Sequence, residues 1–183
     1  STLKPLGSTI YERTSSDGGC VPPGMNKARV SAGFDMVVLG MNDIVSSEIA
    51  RFGQWEIATA DDMAKRAGTS LAESGTFLDI GANIGYYTLL FAHKGFNVIA
   101  VEAMTRNRQA IMGSLCLNPH LRSRVTLVPT ALAAPFEVDF TTCIIKSTNS
   151  KINIGNGHLS CGPDKKCDSG GCKLSTGGVK NSG

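Results

Sequence analysis

Asp79, Gly81, Asn83, Gly85 and Glu102 are the residues of this chain whose types and spacing can do chemistry together. Gly81 and Gly85 bound the turn Gly81-Ala82-Asn83-Ile84-Gly85, where main chain bare of Cβ can meet a polar ligand beside the N-terminus of a following helix. Glu102 stands 21 residues after Gly81, the separation at which an acid at the end of the next strand accepts hydrogen bonds from both hydroxyls of an unmodified ribose. The turn is not the G-x-G-x-x-G of dinucleotide binders. Asp79, just ahead of it, would repel a pyrophosphate but suits an ammonium or a sulfonium.

These residues need a βαβ unit to hold them, and the stretch from Thr76 to Glu102 supplies one. Phe77 to Ile80 is a short apolar run broken by Asp79, and the glycine turn leads into a helical pattern through Tyr86, Leu89, Leu90 and Ala92. Gly95 stops that helix, and Phe96 to Val101 is a second run rich in β-branched residues, closing on Glu102. A nucleoside carrying a sulfonium and an amino acid is S-adenosylmethionine, and the string Leu78-Asp79-Ile80-Gly81-Ala82-Asn83-Ile84-Gly85-Tyr86-Tyr87-Thr88 resembles motif I of class I methyltransferases, in particular the FkbM-type family. The resemblance implies a Rossmann-like α/β core and an S-adenosylmethionine cofactor held by Asp79, Gly81, Asn83, Gly85 and Glu102.

Flanking text is similar to the same family. Upstream, the pattern D-I-V-S…I…G-x-W-E from Asp43 to Glu56 matches the region where the family's Glu lies near the cofactor, which implies a place for Glu56. Asp43 caps a helix to Phe52 that ends at Gly53, and Thr59 to Asp62 opens a second helix through Met63, Ala64, Ala67 and Leu71. Downstream, Thr105 caps a helix to Asn118, Pro119 stops it, and Val125 to Val128 is the third strand. This helix resembles the family's E-P-x-x-x-N segment, with Asn107 retained and Ala103 in place of proline, and Ala131 falls in the short A-L segment beside the adenine. Phe136 to Ile145 reads as a hairpin.

The expected fold is a parallel half sheet in the order 3-2-1 with flanking helices, incomplete at its C-terminal half. The family's fourth strand, its acidic motif and the strands that shape the acceptor site have no counterpart, so the resemblance covers roughly residues 36 to 157. The chain divides into an extended arm (1–33), the α/β domain (34–157) and a Gly/Lys/Cys-rich tail (158–183). From Lys151 onward there are eight Gly, and five Lys against two Asp, which carry the whole net charge of +3. The tail from about Gly155 is expected to lie outside the core. With the core neutral, no nucleic-acid face is implied, and no apolar run approaches the roughly 18 residues of a membrane span. Ser1 opens neither a signal peptide nor an Arg-rich transit segment, though either could have been removed.

The first strand's open edge must be covered, by the Phe136 to Ile145 hairpin or by a neighbouring chain, and the neighbour is favoured. Cys116 and Cys143 read as small buried residues. Cys161, Cys167 and Cys172, with His158, fit no paired C-x2-C zinc knuckle, so no metal is assigned, and in an oxidising compartment one of the three could pair with Cys20. Trp55, Tyr86 and Tyr87 read as packing residues, and His93 as solvent-facing or packed. Two functions remain. The first is an S-adenosylmethionine-dependent O-methyltransferase of FkbM type acting on a small-molecule or glycan acceptor, with no catalytic residue assignable. The second is a non-catalytic, methyltransferase-derived structural subunit of a larger assembly.

Overall fold

The computed structural model describes residues 18–132, 143–149, 153–161 and 173–174. Strands β1 (Asn26–Arg29) and β2 (Asp35–Val38) form an antiparallel hairpin, followed by helices α1 (Ile44–Phe52) and α2 (Ala60–Arg66). Then β3 (Thr76–Ile80), α3 (Tyr86–Lys94), β4 (Asn97–Val101), α4 (Thr105–Leu117), a 3-10 turn (Pro119–Arg124) and β5 (Val125–Val128) build a parallel sheet in the order β3-β4-β5. A separate antiparallel sheet, ordered β7-β6-β8, consists of β6 (Cys143–Asn149), β7 (Asn153–Cys161) and β8 (Lys173–Leu174).

The parallel sheet flanked by helices is the expected α/β half. Each parallel crossover is a helix because the register Leu78↔Ile99↔Thr126 demands that the chain return to the same end each time. The covered face carries Val98, Ala100 and Leu127, buried with Ile84, Leu89, Phe91 and Ile111 in one continuous core, and the buried Asp79 lies on the same face. Its opposite face is bare: Leu78 is 55% exposed, Ile80 59% and Ile99 39%. Parallel sheets are ordinarily covered on both faces. Among the described residues no strand pairs with the free edge of β3, and Cys143 to Ile145, in β6, pair with β7 and β8 instead of covering that edge.

Other local details bear on the sequence reading. Asp43 caps α1 by accepting from the Ser46 N–H, and Gly53 closes it in the left-handed conformation. Thr59 caps α2 but that helix stops at Arg66, short of Leu71, where Gly68 turns left-handed. Thr105 is the first residue of α4, with Met104 in the capping position and no side-chain cap. Part of the extended arm is not free, since β1 pairs with β2 and Ser114 on α4 accepts from the Val37 N–H at 2.8 Å; residues 1–17 lie outside the described residues.

Two expectations need correction. Cys116 is exposed on α4 and bonded to Cys20, with the Cα atoms 5.4 Å apart, so Cys20 is not the partner of Cys161, Cys167 or Cys172. What brings them together is Gly113, one turn earlier on α4, where a Cβ would lie 2.6 Å from the Cys20 carbonyl oxygen. Chain and helix meet there without a side chain between them. The second concerns the segment from Gly155: Gly155 itself is buried, and it belongs to β7, a strand that continues to Cys161. Its glycines leave it free to pack closely, so composition alone misplaces it. Residues 136–142, Cys167 and Cys172 lie outside the described residues.

Candidate functional site

The glycine turn sits at the carboxyl ends of β3 and β4. The Gly81 and Ala82 N–H groups donate to the Val101 carbonyl at 2.9 and 3.1 Å, which fastens the turn to the end of β4. Asn83 is left-handed (φ 53°), and so is Gly85 (φ 88°), the residue in the capping position just before α3. Gly85 is fixed by two constraints at once, because a Cβ there would also lie 2.7 Å from Ile111 Cγ1 on α4.

Glu102 is tied to this turn. Its Oε2 accepts from the Asn83 N–H at 2.8 Å and its Oε1 from the Met104 N–H at 2.7 Å. A carboxylate has acceptor sites beyond the two that these amides take, and the Asn107 side chain shares them. The carboxyl is almost buried, and that desolvation raises its pKa against the opposing pull of the Met104 and Asn83 amides, the Asn107 side chain and the Arg108 guanidinium. Arg108 itself donates to the Glu102 and Ala103 carbonyls, holding the start of α4 in place.

Around the turn, three further polar groups converge that the sequence reading did not assign to the site as a set. Asp43 is fully buried; Oδ1 caps α1, and Oδ2 accepts from the Gly155 N–H at 3.1 Å. Asn107, 1% exposed, donates from Nδ2 to the Gly155 carbonyl at 2.8 Å. Its Oδ1 and the Oδ1 of Asn83 are both buried with no hydrogen-bond partner. The signal for Asp43 and Gly155 lay 112 residues apart in sequence, and each had a sufficient local explanation, a helix cap and a glycine-rich composition.

The other proposed site residues are engaged elsewhere. Asp79 points to the covered face of the sheet, where Thr88 Oγ1 donates to it at 2.5 Å, and burial raises its pKa against the two hydrogen bonds from Thr88. Glu56, exposed and left-handed (φ 54°), accepts from the Tyr87 hydroxyl at 2.9 Å. Burial pushes the Tyr87 hydroxyl pKa up, and the Glu56 carboxylate adds to the shift. Tyr86, buried, donates to the Ile57 carbonyl at 2.8 Å. Trp55 is half-buried against the core, and His93 is exposed with its ring against Phe34. Ala131 is half-buried just past the end of β5. Asn83, Glu102 and the turn glycines are therefore brought together, while Asp79 is bonded to Thr88, Glu56 to Tyr87, and Ala131 lies past the end of β5.

Two cavities open nearby. One of about 530 Å³ lies by Glu56, Ile57, Asp62 and Arg66. The other, about 490 Å³, lies by Met25, Met104, Arg106 and Ile145, next to the residue whose N–H binds Glu102. Chemically, the cluster of two carboxylates and two unpartnered amide oxygens is rich in acceptors. It fits a ligand that brings N–H or O–H donors and a positive charge. Among the described residues, no helix is long and apolar enough to cross a membrane. No family model, curated protein or solved structure matches the chain.

Proposed function

We propose that this chain is the cofactor-binding part of an S-adenosylmethionine-dependent O-methyltransferase of FkbM type. The observation that carries the reading is the bond between Glu102 and the Asn83 N–H, which joins the acid at the end of the second parallel strand to the glycine turn at the end of the first. An acid in that position can receive the two ribose hydroxyls through the remaining lone pairs of its oxygens. Asn83, with its unpartnered Oδ1, borders the place of the amino-acid portion. S-adenosylmethionine, when bound, supplies an electrophilic methyl on a sulfonium. The chain's own residues bind and orient: the turn presents bare main chain, Asp79 holds α3 against β3, and Arg108 fixes the segment after β4. Much of the rate of such a transfer comes from alignment, and the acceptor, a small molecule or a glycan, would be placed by groups beyond this half of the fold.

A second reading is favoured by the bare sheet face of Leu78, Ile80 and Ile99, which a partner chain in an assembly would cover. In that case the chain is a methyltransferase-derived structural subunit, and other protein chains are its partners. Calorimetric titration of the full chain with S-adenosylmethionine separates the two. The enzyme reading expects binding that weakens at least tenfold in Glu102→Gln, as the loss of charge-assisted hydrogen bonds worth about 1.5–3 kcal/mol requires. Binding equally tight in the variant, with an unchanged melting temperature, would refute the placement; no binding at all would favour the subunit.

A further inference from the structure

The β6–β7 ladder is irregular opposite the glycine turn. Pairing steps from Ser147↔Gly157 to Asn149↔Asn153, and residues 154–156 of β7 lie between those pairs. Such a bulge frees main-chain groups from the ladder and re-aims them. Here the freed groups are the Gly155 N–H, which Asp43 accepts, and the Gly155 carbonyl, to which Asn107 donates. The approach is close enough that a Cβ on residue 155 would lie 2.6 Å from Asn83 Oδ1 and 3.3 Å from Asn107 Oδ1. Gly157, two residues on and so on the same side of the strand, packs equally closely on Met104, whose Sδ a Cβ would meet at 2.6 Å. β7 thus lies over both the turn and Met104, two residues after Glu102.

The fit is polar but incomplete. One N–H and one carbonyl of β7 are satisfied, yet the two amide oxygens that face Gly155 are left without a donor. Buried polar atoms are nearly always paired, so a site that leaves two orphaned at one point is shaped for a richer donor than a glycine. We propose that the Gly155 bulge is a displaceable stopper: its main chain occupies the acceptor-lined seat formed by Asp43, Asn83 and Asn107, and a ligand carrying an ammonium takes that seat when β7 lifts. This rests on the S-adenosylmethionine reading for the identity of the ligand, though not for the motion of the strand. The apparent affinity is then the intrinsic one reduced by the fraction of molecules with β7 lifted.

Two substitutions lift the strand by different means. Gly155→Ala places a Cβ against Asn83 at a position with ordinary backbone angles, so the wedge adds no conformational strain of its own. Asp43→Asn keeps one oxygen to cap Ser46 and turns an amide N–H2 toward the Gly155 N–H, which it cannot accept. Native-state hydrogen exchange on the full 183-residue chain reads the motion directly. In the wild type, amides of 153–157 should exchange at least tenfold faster than those of β3 and β4, and at least tenfold faster again in either variant, with β3 and β4 protection retained. Exchange of β7 only together with β3 and β4, in wild type and variants alike, overturns the stopper. Titration with S-adenosylmethionine reads the competition: Gly155→Ala should bind at least fivefold more tightly than wild type, and equal or weaker binding with β7 released also overturns it. If neither protein binds while β7 is released, the cofactor reading fails, and the exchange result alone decides the stopper.

Discussion

Replacing Asp79 tests whether this acid is an anchor of the scaffold. α3 has a glycine in its capping position and so no side-chain cap of its own, and orphaned N–H groups of its first turn need an acceptor from elsewhere. Asp79 provides it from β3, receiving both the hydroxyl and the backbone N–H of Thr88 while only 8% exposed. Asp79→Ala leaves both donors buried and unpaired, at a cost of about 2–4 kcal/mol, which for a chain of this length lowers Tm by roughly 10 °C. Asp79→Asn keeps an acceptor oxygen for Thr88 and should lose much less. The pH dependence has a definite sign. Burial raises the folded-state pKa above 3.8, so the folded protein holds this proton more tightly than the unfolded chain. The resulting stabilisation is complete below pH 3.8 and is lost as pH rises through the raised value. Asp79→Asn, always neutral, lacks that loss, and its stability relative to wild type should improve between pH 4 and pH 7. Glu102, raised in the same direction, is common to both proteins and drops out of the comparison. Thermal melts monitored by circular dichroism across that range provide the assay. A melting temperature of Asp79→Ala within 2 °C of wild type, or a gap between wild type and Asp79→Asn that is flat with pH, would refute the anchoring argument.

Gly85→Ala combines a left-handed φ of 88° with a Cβ 2.7 Å from Ile111 Cγ1; a loss of about 2–4 kcal/mol in urea unfolding is expected. Cys116→Ser opens a link between residues 96 apart in sequence, and chain entropy sets the loss at about 4.7 kcal/mol, with reduced wild type unfolding at the same urea concentration as the variant. Leu78→Lys, on the bare sheet face, should change the stability of the isolated chain by no more than about 0.5 kcal/mol and reduce its light scattering. A loss of several kcal/mol there would mean that the face is already covered.

The parallel half of the fold was legible because its signals are local. Phe77 to Ile80, the glycine turn, Gly95 and the run to Val101 each announce their element, and β3, α3, β4 and β5 lie where those signals place them. Asp43 was legible as a cap, and Thr59 to Asp62 as a helix start, for the same reason, since a cap speaks only to the next three residues. Asp79 was placed at the right point of the turn, but alternation along a strand decides which face a side chain takes, and on β3 the face of Phe77 and Asp79 is the covered one. Gly113, Gly155 and Gly157 were opaque. Each matters through what a missing Cβ lets another segment do, and that segment is far away in sequence. The pairing of Cys20 with Cys116 depends on one such approach, so cysteine counting could not find it.

The disulfide divides the chain into a ring and a strand outside it. Between Cys20 and Cys116 lie β1 to β4, the glycine turn, Glu102 and Asn107, all within one covalent loop. β5, β6 and β7 follow it. A protease nick inside the loop leaves a single molecule until reductant is added, whereas a nick between β5 and β6 frees the cover from everything it covers. Synthesis imposes the same order, since Cys116 emerges before Gly155. The residues of the seat can therefore be enclosed in their ring before the strand that sits in it is free to dock.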